Sequence, residues 1–195
     1  MSTLEVNTVK PISGSSTITL GESGDTVILT TGAKTSGFGK IGQVVQTVKT
    51  DTFSTTSESF TDLTGMALSI TPSSATSKIL IKTSLSWGGS KNVYGHGKFV
   101  RGSTDIFMAD SGGGNRISST FPMEHYNIDS AIFNCFVASS EFLDSPSTTS
   151  VTTYKIQVLS NDSSRTLYIN RPENDNNQSY IGRFTSSLTA MEILD

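Results

Sequence analysis

"SKILIKTSLSW" spans residues 77–87 and decides the fold class. Ile79, Ile81, Thr83, Leu85 and Trp87 fall on one side of a two-residue period, with Lys78, Leu80, Lys82, Ser84 and Ser86 on the other. Successive side chains of an extended chain point to opposite faces, so this is a strand with one face in a core. No stretch holds apolar residues at three- and four-residue spacing over a dozen positions, so no helix is expected.

The same signal recurs on both sides. "GQVVQTVKT" (42–50) is β-branched and ends in a turn, and "FTDLTGMALSITP" (60–72) sets Met66, Leu68 and Ile70 against Ala67, Ser69 and Thr71. "GHGKFVRGSTDIFM" reads as a hairpin turning at "RGST". "SAIFNCFVASSEFL" is almost continuously apolar, which predicts a central strand covered on both faces. "SVTTYKIQVLS" alternates Thr152, Tyr154, Ile156 and Val158 with Val151, Thr153, Lys155 and Gln157. "RTLYINR" is expected to pair with it across an "NDSS" turn, and "YIGRFTSSLTAMEIL" closes the chain as a last strand. About eight to ten strands between turn signals predict a jelly-roll-like β-sandwich head over residues 41–195. Two loops, "ADSGGGNRISS" (109–119) and "RPENDNNQS" (171–179), are expected at the surface and mobile.

Composition agrees with an all-β chain. Apolar residues are 34% and charged residues 16%, both low, and 32 Ser and 27 Thr fill the gap. Thr suits strands and Ser suits turns, and so few charges do not fit a disordered chain. The net charge of −3, with Lys and Arg scattered singly, leaves no basic patch for nucleic acid. The single cysteine, Cys135, forms no disulfide within one chain and reads as a small buried hydrophobe in a strand. "MSTLEVNTVK" lacks the apolar core of a signal peptide, and no window approaches a membrane span.

Residues 1–40 stand apart from that head. "TLEVNTV", "STITL" and "DTVIL" offer short strands; with Ile12 between the first two, their Leu4, Val6, Val9, Ile18, Leu20, Val27 and Leu29 are the expected oligomerisation and attachment residues. At roughly 25 cal/mol per Å² of buried apolar area, so few side chains do not offset an ordering cost of about 1–2 kcal/mol per residue. Three copies wound about one axis bury each stripe against the other two. The segment is therefore either a flexible leader of a monomer or an intertwined stalk of a symmetric oligomer. Its definite β pattern favours the stalk, an attachment and oligomerisation segment.

"LEVNTVKPISGSSTITLGESGDTVIL" resembles the start of tail-fibre-like virion proteins of tailed bacteriophages, especially phages of marine bacteria and cyanobacteria. Such proteins often begin with L-x-V-N-T-[IV]-K-P and continue into S-T-x-T-L-G-x-S-G-D-T-V. "TPSSATSKIL" within residues 41–88 and the ending "SSLTAMEIL" are similar to a head module that recurs among them. The resemblance covers residues 1–88 and the last ten; residues 89–180 carry no recognised motif. It implies a homotrimer with a thin N-terminal β stalk bound to a tail adaptor or capsid protein of the particle. It further implies a jelly-roll head facing a host surface polysaccharide, in a virion protein made in the host cytoplasm without a signal peptide and without membrane insertion.

The residues themselves say little for an enzyme. His96 and His125 are the only histidines, no HExxH or CxxC spacing occurs, and no G-x-S-x-G elbow is present. Seventeen acids select no carboxylate pair, and no internal repeat marks a β-helical depolymerase. "ENDNN" (173–177) alternates oxygen ligands but lacks the Gly and bidentate Glu of a calcium loop, so it reads as a solvated turn. No catalytic residue, cofactor or metal is expected.

Glycan recognition uses aromatic faces beside polar groups. Trp87, Tyr94, His96, Tyr126 and Tyr180 lie next to expected loops, and Arg101 and Arg116 would suit anionic sugars. "SWGGSKNVYGHGK" (86–98) is the densest such cluster, although Trp87 also continues the apolar face of its strand, as core tryptophans do. Three functions follow: a receptor-binding tail fibre or fibre tip, a capsid decoration protein, and a small glycan hydrolase. The first fits the residues best.

Overall fold

A computed structural model describes residues 40–126 and 131–194; the expected stalk, residues 1–40, lies outside them but for Lys40. The chain divides into two units between Phe38 and Gly39. The described residues form eleven strands and no α-helix: β1 (Ile41–Lys49), β2 (Phe53–Thr55), β3 (Thr61–Ile70), β4 (Lys78–Gly89), β5 (Tyr94–Arg101), β6 (Thr104–Ile106), β7 (Phe121–Glu124), β8 (Phe136–Asp144), β9 (Thr152–Ser160), β10 (Leu167–Ile169) and β11 (Ser186–Ile193). One 3-10 turn, Ala131–Phe133, precedes β8.

The strands make two antiparallel sheets. The first runs β1-β11-β4-β10-β2, with β8 on the other edge of β4; the second runs β3-β9-β5-β6, with β7 also on β5. One core joins them. Ile79, Ile81, Leu85, Trp87, Leu167, Ile169, Leu188 and Ala190 come from the first sheet, and Met66, Leu68, Ile70, Phe99, Tyr154, Ile156 and Val158 from the second. The alternation read in 77–87 is the organising one: β4 is the centre of its sheet, bonded to β8, β11 and β10.

The strand registers give the body two ends. At the proximal end the chain enters at Lys40, whose carbonyl accepts Leu194 N–H at 2.7 Å, and Ile41 pairs with Ile193, Ile193 with Lys78, and Ile70 with Thr152. At the distal end Gly89 pairs with Leu167, Gly95 with Ser160 and Tyr94 with Glu124. The twelve residues of β4 separate the two ends by roughly 36 Å.

Buried polar clusters brace the body. At the proximal end Arg101 Nη1 donates to both oxygens of Asp144 at 2.7 Å, and the Tyr154 hydroxyl donates to the same carboxylate at 2.7 Å. Burial, then the hydrogen bond and charge of Asp144, push the Tyr154 phenol well above its ordinary pKa. Toward the distal half, Asn170 is wholly buried in a left-handed conformation at φ 65°. Its Nδ2 donates to the carbonyls of Lys49 and Asp51 at 2.9 Å, and its Oδ1 accepts from Ser186 at 2.6 Å.

Three sequence expectations need correction. "RTLYINR" does not hairpin with β9, because both edges of β9 are taken by β3 and β5. "NDSS" instead carries the chain across to the first sheet, where β10 bonds β4 and β2. "SAIFNCFVASSEFL" is not one covered strand. It opens as the 3-10 turn, and β8 then forms a sheet edge bonded to β4 alone, leaving Val137 and Leu143 exposed. Cys135 thus precedes the strand rather than lying in it. It is half-buried, with a thiol that burial pushes up to about 11 against the opposing charge of Arg171, so it stays protonated at neutral pH.

Candidate functional site

The "RGST" hairpin forms as read. Arg101 pairs with Thr104, and Gly102 takes the left-handed φ of 59° that a two-residue turn of this kind uses at its first central position. The hairpin lies at the proximal end, however, and Arg101 is consumed by Asp144 there. It offers no free guanidinium to an anionic sugar.

Trp87 is likewise removed from the surface. It is 5% exposed, stacked near-parallel on His125 at 6.1 Å and against Phe136 at 5.0 Å. The glycines around it do not loosen a loop. A β-carbon on Gly97 would stand 2.1 Å from the Phe121 ring, and one on Gly88 would meet the Arg171 carbonyl at 2.6 Å. They are strand residues whose missing side chains admit neighbours, and Gly97 sits directly across from Phe121. What remains of the expected loop is a tight turn closed by Val93 N–H on Ser90 O at 3.0 Å, with Asn92 at φ 61°.

Tyr94 follows that turn on β5, and its ring stacks with Tyr126 at 6.3 Å. Tyr126 is 69% exposed. His96, two residues on along the same face of β5, is half-buried and shares a 3.3 Å hydrogen bond with Ser119 Oγ. Burial lowers its pKa, against the opposing charge of Glu124, so the imidazole is neutral at pH 7. The segment 161–165 covers the same end: Asn161 N–H donates to Tyr94 O at 2.8 Å, and Arg165 Nη1 to Lys91 O at 2.6 Å.

A second aromatic pair shares the distal end. Tyr180, 71% exposed, meets Phe133 edge-to-face at 6.2 Å. Phe133 lies just before β8, whose Phe136 pairs with Trp87 near the distal end of β4. Beside the pair runs the 171–179 loop. Asn174 N–H is bonded to Ile132 O at 2.7 Å, and Asp175 accepts from Arg183 Nε at 2.7 Å. With Arg171 also 3.8 Å away, the one acid of "ENDNN" that most resembles a calcium ligand is already neutralised. Arg116 sits on the exposed 109–119 excursion, donating to Gly113 O at 3.3 Å.

Of the residues singled out in sequence, then, Tyr94, His96, Tyr126 and Tyr180 reach the surface of the distal end; Trp87 lies near it but is buried, Arg101 lies at the proximal end, and Arg116 lies on the 109–119 excursion. Phe133 was missed because it stands inside an apolar run that reads as core. Among the described residues no three His, Cys, Asp or Glu side chains gather as a metal-holding group. The carboxylates whose titration is clearly displaced there, Asp51, Asp62, Asp162 and Glu192, all move downward. A glycosidase acid needs the opposite displacement. Among known proteins, no family model and no curated sequence matches the chain.

Proposed function

We propose that the protein is a non-enzymatic virion protein of a tailed phage, a trimeric tail fibre or fibre tip. Residues 1–40 form its attachment stalk, and the body from residue 41 is a jelly-roll-like head that binds a host surface polysaccharide. The observation that carries this reading is the placement of solvent-facing aromatic rings. Tyr126 on Tyr94, and Tyr180 on Phe133, lie at the end of the body opposite the point where the chain enters at Lys40. A head held by its N-terminal side presents that end outward. Aromatic faces flanked by Asn, Asp, Gln and Arg suit sugar rings, whose C–H faces pack on aromatics while their hydroxyls take hydrogen bonds.

The reading is tested by presenting the full chain to an array of bacterial capsular and lipopolysaccharide glycans and measuring retention together with glycan length. Retention on a subset of glycans, with lengths unchanged, supports it. Shortened glycans would replace the adhesin with a hydrolase. Retention on none would refute receptor binding and leave the capsid decoration role.

A further inference from the structure

The two outer faces of the body differ in kind. The second sheet's face is ion-paired. Lys155 and Gln157 both donate to Asp62 at 2.8 and 2.7 Å, and Lys98 to Asp105 at 2.6 Å. The first sheet's face carries instead a row of four apolar side chains in register. Val44 pairs with Met191, Met191 with Leu80, and Leu80 with Leu143. Their neighbours in sequence, Val45, Ala190, Ile79, Ile81 and Phe142, face the core, so the row itself points outward. Val44 is 56% exposed and Leu143 44%. The row crosses four strands, about 15 Å, and its Val44 and Met191 line a shallow depression of about 350 Å³ together with Gln46, Thr189 and Lys82.

We propose that this face is where copies of the chain meet, with the Val44–Met191–Leu80–Leu143 row at the centre of the contact. The inference rests on the oligomeric reading above for the partner's identity, and on the face itself for its location. Two observations favour a second copy over another partner. The row beneath holds one cation beside one anion, Lys82 and Glu141, 3.4 Å apart and both at least half exposed. That row is balanced and bears both signs, so it can meet a second copy of itself without leaving a net charge unpaired. The row also lies at the proximal end: Val44 is four residues past Lys40, where the chain enters. A contact here would remove four apolar side chains from water in each copy.

The test is the solution mass of the full chain, by light scattering over a concentration series, for the wild type and for Leu143→Glu, Val44→Glu and the milder Leu143→Gln. Circular dichroism reports whether each variant keeps its β signature. Lys155→Glu on the opposite face is the control. The expected result is an oligomeric wild type and control, single-chain mass for the two Glu variants, and at least a tenfold weaker association for Leu143→Gln, all with β structure retained. Variants as oligomeric as the wild type would overturn this surface while leaving the oligomeric reading intact. A wild type of single-chain mass at every concentration would overturn both.

Discussion

Gly97 and Asn170 show how little tolerance single positions have. A methyl group at Gly97 would stand 2.1 Å from the Phe121 ring, and β5 is held in place because it is bonded on both edges. Gly97→Ala is expected to cost about 2 kcal/mol, read as a lower thermal midpoint with the β signature kept. Asn170→Ala would strand the Lys49 and Asp51 carbonyls and the Ser186 hydroxyl, at about 3 kcal/mol, measured by denaturant unfolding. A smaller loss in either case would mean the neighbours relax more than their bonding suggests. Trp87 was legible in sequence as core, because it falls in phase with Ile79, Ile81 and Leu85. The engagement of Arg101 was not: Asp144 lies 43 positions away, and a local pattern carries no information about so distant a partner.

Among the elements, β3, β4, β9 and β11 were readable because each buries one face, and a period of two records that directly. The pairing of β10 was not readable. "NDSS" is a genuine turn, and turn chemistry says that the chain reverses without saying which sheet it rejoins. The edge position of β8 was hidden for a related reason. Val137 and Leu143 are apolar yet exposed, so composition alone made the strand look enclosed. The loop 71–77 is tied to β11 by Glu192, which is 1% exposed and accepts from Ser73 N–H and Oγ, both at 2.6 Å, and from Gln43 at 2.8 Å. Burial would raise this carboxyl, but those hydrogen bonds outweigh it and hold the pKa below the usual carboxylate range.

On the acid side the shifted groups that are not fully exposed are His96 and Glu192, beside the more exposed carboxylates Asp51, Asp62 and Asp162. His96 is held neutral, so the unfolded chain takes its proton first, and stability falls as pH drops below the unfolded value of about 6.5. Glu192 is held ionised, so its contribution is complete above the unfolded value of about 4.3 and is lost as pH falls through its depressed folded pKa. Denaturant unfolding across a pH series should show both losses. His96→Gln should flatten the first and Glu192→Gln the second. An unchanged slope below pH 6.5 in His96→Gln would remove His96 from the account.

At the largest scale, the described residues form a two-sheet body with chemically distinct surfaces. One end receives the chain and is clamped by Arg101, Asp144 and Glu192. The other carries the exposed tyrosines. One broad face is ion-paired, and the other bears an apolar row. The all-β class was plain from the sequence, whereas this polarity emerges only when the registers place residues 40, 94, 126 and 180 along one axis. On the proposed reading as an adhesin, the exposed tyrosines would be the binding surface.

The most direct measurement is the affinity of the full chain for the bacterial polysaccharide that it retains best, compared with Tyr126→Ala, Tyr180→Ala and, as a control, Lys155→Ala. The account predicts a loss of at least about tenfold, some 1.4 kcal/mol, for one or both tyrosine variants, with the control unchanged and all variants folded. Undiminished affinity in both tyrosine variants would contradict the placement of the binding surface at the distal end.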